Sequence, residues 1–279
     1  MKNLGYYNGK IGLIEEMSVP MTDRAFYFGD GVYDAVMCRN NIPYLLDEHI
    51  DRFFHNCDRL YIKISMSKKE LFKTICELVK LVDGVEKFVY FHASRGNALR
   101  AHSAPTDKAS ICIMITEQAM GDISEKMRAS LVPDNRYQLC DIKTLNLLPS
   151  VLAALYATEQ GADEAIFHRD GIITEGSHCN VSIISNDKIV TAPADCHILP
   201  GVTRAHLIKE AKKYGIPVEE RHYTIRELFD AQEIIISSSS KMIRGVSSID
   251  GTAVGGKNDP MLRLLQNRLR ENYLKYTEA

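Results

Sequence analysis

Alternating apolar and polar positions predict several short strands in the first part of the chain. Asn8-Gly9 separates two strand-like runs, and this dipeptide is a strong hairpin signal because both turn positions need a positive φ. A second strand–turn–strand pattern surrounds Asn40-Asn41. Two longer strands are predicted over 87–96 and 109–118.

Apolar residues at helical spacing predict two helices between these strands. In 47–62, DEHIDRFFHNCDRLYI, the apolar positions recur every three or four residues. In 67–84, SKKELFKTICELVKLVDG, Ser67 is the predicted N-cap and Glu70 completes a capping box. Helices and strands together predict an α+β domain over 1–118.

The rest of the chain mixes helices with short, turn-rich strands. Residues 119–129, AMGDISEKMRA, are polar and lack periodicity, so they predict a linker before a C-terminal domain over 130–279. The elements predicted in that domain are a strand over 130–139, a helix over 150–161, a meander of strands over 164–193, a helix over 201–215, a short helix over 225–232, a strand over 233–240 and a terminal helix over 259–279.

Composition and charge exclude several classes of protein. A net charge of -2 over 279 residues gives no sign of the basic face that nucleic-acid-binding proteins carry. The seven cysteines include no CxxC pair, which is typical of reduced intracellular thiols. No apolar run reaches the roughly 18 residues of a membrane helix, and the N-terminus turns polar too early for a signal peptide. We therefore expect a cytoplasmic protein with no nucleic-acid, membrane or metal partner.

Five polar features could carry chemistry, and each also has an ordinary structural interpretation. Lys143 stands in the apolar stretch CDIKTLNLLPSVLAAL, where it either snorkels from a helix end or serves in a pocket. Arg52 lies beside an apolar stripe and either snorkels or holds an anion. Glu175 is either a solvated turn carboxylate or a partner for a ligand. Thr203 at a helix start, and the hydroxyls of Ser237–Ser240 after a strand, suit a phosphate or simply form polar loops.

Taken together, these features indicate one ligand that has a phosphate, a group that pairs with a carboxylate, and a carbonyl that reacts with an amine. Pyridoxal phosphate has all three. Competing motifs are weak. GDGVYD lacks the third glycine of a dinucleotide fingerprint, and Cys179 is interpreted as a small buried thiol. His168, Glu175 and His178 lack the HExxH spacing of a zinc site.

Six motifs follow one another along nearly the whole chain: DRAFYFGDGVYD, LDEHIDRF, DIKTLN, EGSHCNVSII, ILPGVTR and the hydroxyl-rich turn before SSIDG. In this order and spacing, the chain resembles the fold-type IV pyridoxal-phosphate enzymes, which comprise D-amino acid and branched-chain aminotransferases and aminodeoxychorismate lyase. The resemblance implies a two-domain α+β fold. A smaller N-terminal α/β domain is followed by a larger, β-rich C-terminal α/β domain, with the cofactor bound where the two domains meet.

The resemblance also implies a role for each matching residue. Lys143 of DIKTLN matches the lysine that forms a Schiff base with pyridoxal 5'-phosphate and acts as the catalytic base. Glu175 matches the carboxylate that binds the pyridine nitrogen. The residues that match phosphate-binding positions are Arg52, Val202, Thr203, Ser238 and Ser239.

One stretch, RGNALRAHSAP, resembles the D-amino acid aminotransferases more than the other branches. In those enzymes an Arg-x-His pair, here Arg100 and His102, binds the substrate α-carboxylate together with a tyrosine, here Tyr33. An arginine fork is a suitable clamp for a carboxylate, and imidazole and phenol add donors. The family's loop reaches into the neighbouring subunit, so the resemblance implies a homodimer.

The chain departs from the family pattern at positions that affect the expected pocket. His178 replaces a small residue, Met242 a glutamate, and Arg244-Gly245 a Thr-Pro pair, while Pro149-Ser150 replace a commoner small pair. None of these is a predicted Schiff-base or phosphate residue. We expect His178 and Arg244 to change the size and charge of the pocket.

The resulting hypothesis is an aminotransferase that moves an amino group between a D-amino acid and a 2-oxo acid by a ping-pong mechanism. Aminodeoxychorismate lyase and branched-chain L-amino acid aminotransferase, on the same fold, are alternatives. A pyridoxal-phosphate-binding protein without activity is a third. The Arg100 and His102 pair favours the D-amino acid transaminase, and an intact Lys143 argues against the inactive protein.

Overall fold

The computed structural model describes residues 1–103 and 108–278, and its contacts separate the chain into two units. The first unit contains Met1–Met120, Ile142–Asn146 and the chain from Lys275 onward; the second contains Gly121–Asp141 and Leu147–Leu274. Lys143 therefore belongs to the first unit, although the segments on either side of it belong to the second.

In the described part of the first unit, the strands form one antiparallel sheet in the order β2-β1-β6-β5-β3-β4. The predicted hairpin at Asn8-Gly9 is confirmed, since both residues have positive φ and join the first two strands. The strands are β1 (Asn3–Tyr7), β2 (Lys10–Gly12), β3 (Gly31–Arg39), β4 (Ile42–Pro43), β5 (Glu86–Ser94) and β6 (Ser110–Glu117).

Helices cover this sheet and form the core of the first unit with it. The helices are α1 (Arg24–Phe28), α2 (Leu46–Arg59) and α3 (Lys68–Leu78), with 3-10 turns at Ile14–Glu16 and Val79–Leu81. The predicted capping box of Ser67 and Glu70 begins α3. Phe53 of α2 meets Phe91 of β5 with 5.0 Å between ring centres, and both are fully buried. Burial of each such ring stabilises the unit by about 1.5–3 kcal/mol.

The described strands of the second unit form a mixed sheet in the order β12-β11-β10-β13-β14-β7-β8-β9, with β15 paired to β14. The run Ile234–Ile236 is buried on both faces because β13 lies in the middle of this sheet. The strands are β7 (Met127–Pro133), β8 (Glu164–Arg169), β9 (Ile172–Gly176), β10 (Asn180–Ser185), β11 (Lys188–Thr191), β12 (Val218–Glu220), β13 (Glu233–Ser238), β14 (Met242–Ile249) and β15 (Thr252–Ala253).

Four helices accompany the second sheet: α4 (Leu148–Glu159), α5 (Val202–Lys213), α6 (Ile225–Asp230) and α7 (Asp259–Tyr276). Pro149 lies in the first turn of α4, where its missing N–H has no intrahelical partner to lose. α4 buries Ala153 and Ala157 on one side. It exposes an apolar stripe on the other: Leu148, Val151, Leu152 and Leu155.

The mixture of helices and sheets confirms the α+β prediction, and most predicted elements exist with shifted ends. The helix α1 was not predicted. β7 begins at Met127, inside the predicted linker, and β13 ends at Ser238, before the predicted 240. The domain boundaries at 118 and 130 stay a prediction. No helix in residues 1–103 and 108–278 has both the length and the apolar character of a membrane span.

Candidate active site

Lys143 lies on a short segment, Ile142–Asn146, that is hydrogen-bonded to the start of β3. The N–H of Tyr33 donates to the Lys143 carbonyl (2.9 Å), and the N–H of Leu145 donates to the Gly31 carbonyl (3.0 Å). A Cβ atom at Gly31 would lie 2.7 Å from Leu145 Cδ1 and 2.5 Å from a carbonyl oxygen of β5. Glycine is therefore required for this close approach, which fixes the backbone of Lys143 on the first sheet.

The Lys143 side chain is half-buried, and its Nζ lies 4.2 Å from the centre of the Tyr33 ring. Tyr33 stacks in turn on Tyr90, with 5.5 Å between ring centres. α4 begins only at Leu148, so Lys143 is not a charge that snorkels from a helix end. The structure instead brings the predicted Schiff-base amine against a predicted substrate-binding residue.

Arg52 points into the first unit and meets an anion of the protein itself. Its Nε and Nη2 donate to the two carboxylate oxygens of Asp34 (2.9 and 2.8 Å), and His49 Nδ1 lies 2.7 Å from Asp34 Oδ1. Burial opposes the charge of Asp34, but Arg52 and His49 outweigh it, so the pKa of this carboxyl lies well below its ordinary range. Burial lowers the pKa of His49, and the charges of Arg52 and Lys143 act in the same direction.

The sequence did not indicate Asp34 as a partner of Arg52. A guanidinium has five N–H donors, and Asp34 accepts from two of its nitrogens. The bidentate pair fixes the plane of the fork, so Asp34 orients Arg52. The predicted phosphate role of Arg52 is compatible with this pair, and it stays a prediction.

The loop of Arg100 and His102 is held by a buried arginine that the sequence analysis did not single out. Arg24, only 4% exposed, donates from Nη1 to the Ala101 carbonyl (2.7 Å) and from Nη2 to the His102 carbonyl (3.1 Å). Its Nε donates to Asp30 Oδ2 (2.7 Å). One guanidinium thus links α1 to two consecutive carbonyls of the predicted substrate loop.

The aromatic ring of Phe28 gathers the same groups. The guanidinium carbons of Arg24 and Arg100 lie 4.8 and 5.1 Å from its centre, and the His102 ring centre lies 5.2 Å away. Both Arg100 and His102 are exposed. Within residues 1–103 and 108–278 no hydrogen bond joins Tyr33 to either of them. The last residues of the quoted stretch, 104 and 105, lie outside the described residues.

In the second unit, Glu175 is a buried carboxylate surrounded by donors. It stands near the end of β9, 5% exposed. Arg136 Nη1 donates to its Oε1, and Asn180 Nδ2 (3.0 Å) and the Leu199 N–H (2.9 Å) donate to its Oε2. The interpretation of Glu175 as a solvated turn carboxylate is therefore wrong. These donors fix the carboxylate within the second unit, and its role at the pyridine nitrogen stays a prediction.

A second carboxylate supports Arg136 from behind. Asp134 accepts from Arg136 Nε and Nη2, at 2.9 Å each, and from Arg169 Nε at 3.1 Å. Burial opposes the charge of Asp134, but its hydrogen bonds to Arg136 and Arg169 outweigh this and lower its pKa to about 2. The chain Asp134–Arg136–Glu175 fixes the glutamate from one side. Asp134 and Arg136 were not predicted, because nothing in the sequence pairs them with a residue some 40 positions on.

Gly201 and the start of α5 lie against the same group. A Cβ at Gly201 would be 2.0 Å from Asn180 Oδ1, so only glycine fits beside the asparagine that bonds Glu175. Val202 and Thr203 are the first residues of α5, whose first-turn N–H groups have no intrahelical partner. Such N–H groups suit an anion, and the phosphate roles of Val202 and Thr203 stay a prediction.

Ser238 ends β13 and Ser239 follows it, and β13 pairs with β10, the strand that begins at Asn180. Asn180 of β10 pairs with Ser237 of β13, so the hydroxyl-rich turn begins beside the Glu175 cluster. Ser238 Oγ accepts from the Lys241 N–H (3.2 Å). The buried Ser237 Oγ has no hydrogen-bond partner among the residues that the structure describes. Glu175, Gly201 and Ser237 thus lie around Asn180, and the cofactor roles of the predicted residues beside them stay predictions.

His178, one of the departures from the family pattern, belongs to a closed ring of hydrogen bonds. Lys241 Nζ donates to Glu164 Oε2 and to His178 Nε2, at 2.9 Å each. His178 Nδ1 lies 2.9 Å from Ser177 Oγ, which donates to Glu164 Oε1. Burial opposes the charge of Glu164, but His178 and Lys241 outweigh it and lower its pKa. The ring ties the Glu175 loop to the serine turn.

The other departures have local explanations. Arg244 donates to Glu125 through Nη2 (2.9 Å) and to the Glu125 carbonyl through Nε (2.9 Å), so its charge is compensated within the second unit. A Cβ at Gly245 would lie 2.8 Å from Cδ2 of the buried Leu262, so a larger residue there would displace this leucine. Met242, the first residue of β14, is buried and has a positive φ of 51°.

Comparison with known proteins adds three findings. The family model for class IV amino-transferases matches residues 31–249. The chain is 35% identical to D-alanine aminotransferase of Staphylococcus haemolyticus over 279 residues, and 33% identical to D-alanine aminotransferase of Bacillus licheniformis over 275 residues. These alignments cover 98% and 97% of this chain, and the same shares of the two relatives. The solved structure of the Escherichia coli branched-chain amino acid aminotransferase has a similar fold, with a TM-score of 0.89 at 23% identity. The superposition covers 100% of this chain and 97% of that structure's chain.

Proposed function

Because this chain belongs to the class IV aminotransferase family, we propose that it transfers an amino group between a D-amino acid and a 2-oxo acid with pyridoxal 5'-phosphate as cofactor. The identity to D-alanine aminotransferases over almost the whole length supports D-alanine as one donor. Free thiols at all seven cysteines agree with a reducing cytoplasm.

The observation that carries the D-amino acid assignment is the loop of Arg100 and His102. Both side chains rest on the Phe28 ring, and Arg24 holds the backbone between and after them. A guanidinium and an imidazole presented side by side form a clamp for the α-carboxylate of a substrate. An arginine on a loop that is anchored at two carbonyls loses less entropy on binding than a free one.

The residues of the second unit fit the proposed cofactor by the chemistry of their donors. Glu175 offers a buried carboxylate for a protonated ring nitrogen, and α5 and the serine turn offer N–H and hydroxyl donors for a phosphate. The buried Ser237 Oγ without a described partner agrees with a ligand at this turn. When bound, the cofactor supplies an electron sink for the bonds of the amino acid's α-carbon.

Lys143 has two tasks in this proposal. Its amine would hold the cofactor covalently, and as a free amine it would be the base that takes the α-proton of the substrate. The hydrogen bonds from Tyr33 and to Gly31 keep the segment in place while the amine is free. Glu175 would hold the ring nitrogen in its protonated form, and Arg136 and Asn180 fix the orientation of its carboxylate.

A homodimer is part of the proposal. α4 exposes a contiguous apolar stripe that consists of Leu148, Val151, Leu152 and Leu155. Isolated apolar residues are common on a protein surface, but a contiguous stripe suits burial against a second copy. Sedimentation of the purified protein tests this. A monomer at micromolar concentration would contradict it.

A panel of donors tests the function. The purified protein is mixed with D-alanine, D-glutamate, L-leucine or L-valine, and conversion of the cofactor to its pyridoxamine form is followed by absorbance. We expect conversion with the D-amino acids and none with L-leucine. Arg100→Ala should weaken D-alanine binding and leave the cofactor spectrum unchanged. Conversion by the L-amino acids alone would overturn the D-amino acid assignment.

A further inference from the structure

Four side chains that could bind a metal meet in the second unit, outside the groups that contact Glu175. Asp195, Cys196 and His197 are consecutive in the loop between β11 and α5, and one donor atom from each lies within 4.8 Å of the others. His222, which follows β12, brings its Nε2 to 3.4 Å from Asp195 Oδ2. The expectation of no metal rested on the missing HExxH and CxxC spacings, and this cluster has neither.

The separations among the three consecutive residues are close to those of a small tetrahedral site, and His222 lies beside Asp195. Zinc bonds of about 2.0–2.3 Å to oxygen, nitrogen and sulfur place neighbouring ligands about 3.3–3.6 Å apart. Here His197 Nδ1 lies 3.1 Å from Asp195 Oδ1 and 3.8 Å from Cys196 Sγ. The Cys196 sulfur also lies 4.0 Å from His197 Nε2, so it faces the imidazole ring. The His197 ring would therefore rotate when the metal binds.

The types of ligand and their charges point to zinc. Thiolate and imidazole favour zinc over magnesium or calcium. One carboxylate, one thiolate and two neutral imidazoles carry two negative charges, which a divalent ion balances. We propose that one zinc ion is bound by Asp195, Cys196, His197 and His222.

Such a site would stabilise the loop that leads to the cofactor residues. The His197 carbonyl accepts from Arg136 Nη2 (3.3 Å), and two residues later the Leu199 N–H donates to Glu175. The Cys196 carbonyl accepts from the Cys140 N–H (3.0 Å). Four protein ligands leave no open position, so the ion has a structural task and takes no part in the transamination.

Cobalt(II) is the probe for this site, because its visible absorption reports tetrahedral coordination by a thiolate at longer wavelengths than the cofactor absorbs. The full-length protein without a purification tag is treated with a chelator, dialysed and titrated with cobalt(II). We expect saturation at one equivalent, displacement by zinc, and a higher melting temperature with zinc than without.

Two variants and one control decide the assignment. Cys196→Ser and His222→Gln should each weaken cobalt affinity by more than about tenfold. Cys140→Ser should leave it unchanged, because Cys140 touches the loop only through its backbone. Thermal melting of the three variants in the presence of chelator shows whether each is folded. A result from one folded ligand variant is enough to test the zinc site. The proposal is overturned if the wild type binds no stoichiometric cobalt, or if folded Cys196→Ser or His222→Gln binds it as tightly as the wild type.

Discussion

Replacement of Arg24 by lysine should loosen the substrate loop and leave the cofactor in place. A lysine at this position can still meet Asp30, but it cannot donate to the Ala101 and His102 carbonyls at the same time. A hydrogen bond from a charged donor contributes about 1.5–3 kcal/mol, so the loop loses roughly 3 kcal/mol of ordering free energy.

We expect the loss to appear in substrate binding. With 1.4 kcal/mol for each factor of ten, and part of the loss absorbed by the packing on Phe28, KM for D-alanine should rise about 10- to 100-fold. The proposed cofactor residues of the second unit form no hydrogen bond with Arg24, whose described side-chain partners are Asp30, Ala101 and His102. Affinity for pyridoxal phosphate and the absorbance spectrum should therefore stay unchanged, and kcat should fall less than KM rises.

Arg95→Lys is the matched control. Like Arg24, Arg95 contacts Asp30, here through a bidentate pair at 2.9 Å for both contacts, but its remaining bond goes to the Tyr61 carbonyl and not to the substrate loop. Steady-state kinetics with a D-alanine series compares the two variants. Equal effects of both substitutions on KM would show that Asp30 and general stability matter, and that Arg24 has no specific hold on the loop.

Three further substitutions follow from the structure. Lys143→Ala should abolish turnover measured with D-alanine, whereas near-normal turnover would refute its assignment. Gly201→Ala should lower the affinity for pyridoxal phosphate at least tenfold in a fluorescence titration, because the new Cβ would lie 2.0 Å from Asn180 Oδ1. Gly121→Ala is the control, since a Cβ at Gly121 would have no atom within 4 Å. The pKa of Asp134 in the folded protein is about 2, below the ordinary 3.8, so the protein takes up a proton when it unfolds at acid pH. Roughly 2 kcal/mol of stability is present above about pH 4 and is lost as the pH falls towards 2. Urea unfolding at stepped pH should show a flatter acid limb for Asp134→Asn, and an unchanged limb would contradict this.

Local patterns were sufficient for most of the fold. The capping box at Ser67 and the hairpin at Asn8-Gly9 depend on a few adjacent residues, and the structure confirms both. α1 was missed because five residues are too short to show a helical period; only Asp23, which accepts from the Ala25 N–H, marks its start. β7 began earlier than predicted because pairing with β8 and β14 extends it into a polar stretch.

The candidate site shows where local patterns stop being informative. The residues that resemble a known motif could be named, but their supporting partners could not. Lys241 and Glu164 are 77 positions apart, and only the order of strands in the second sheet brings them together. Asp34 likewise reaches Arg52 because β3 lies under α2. Such partners follow from topology, which a single sequence specifies only through the whole fold.

The ring of Phe28 has a consequence for altering substrate preference by mutation. This ring contacts Arg24, Arg100 and His102. A substitution at one of the three therefore changes how the Phe28 ring packs against the other two. Combined substitutions in this loop should therefore show strong epistasis, and their effects should not be the sums of single changes. Libraries that vary Arg100 and His102 together, with Phe28 kept constant, are more suitable for redesign than one-position scans.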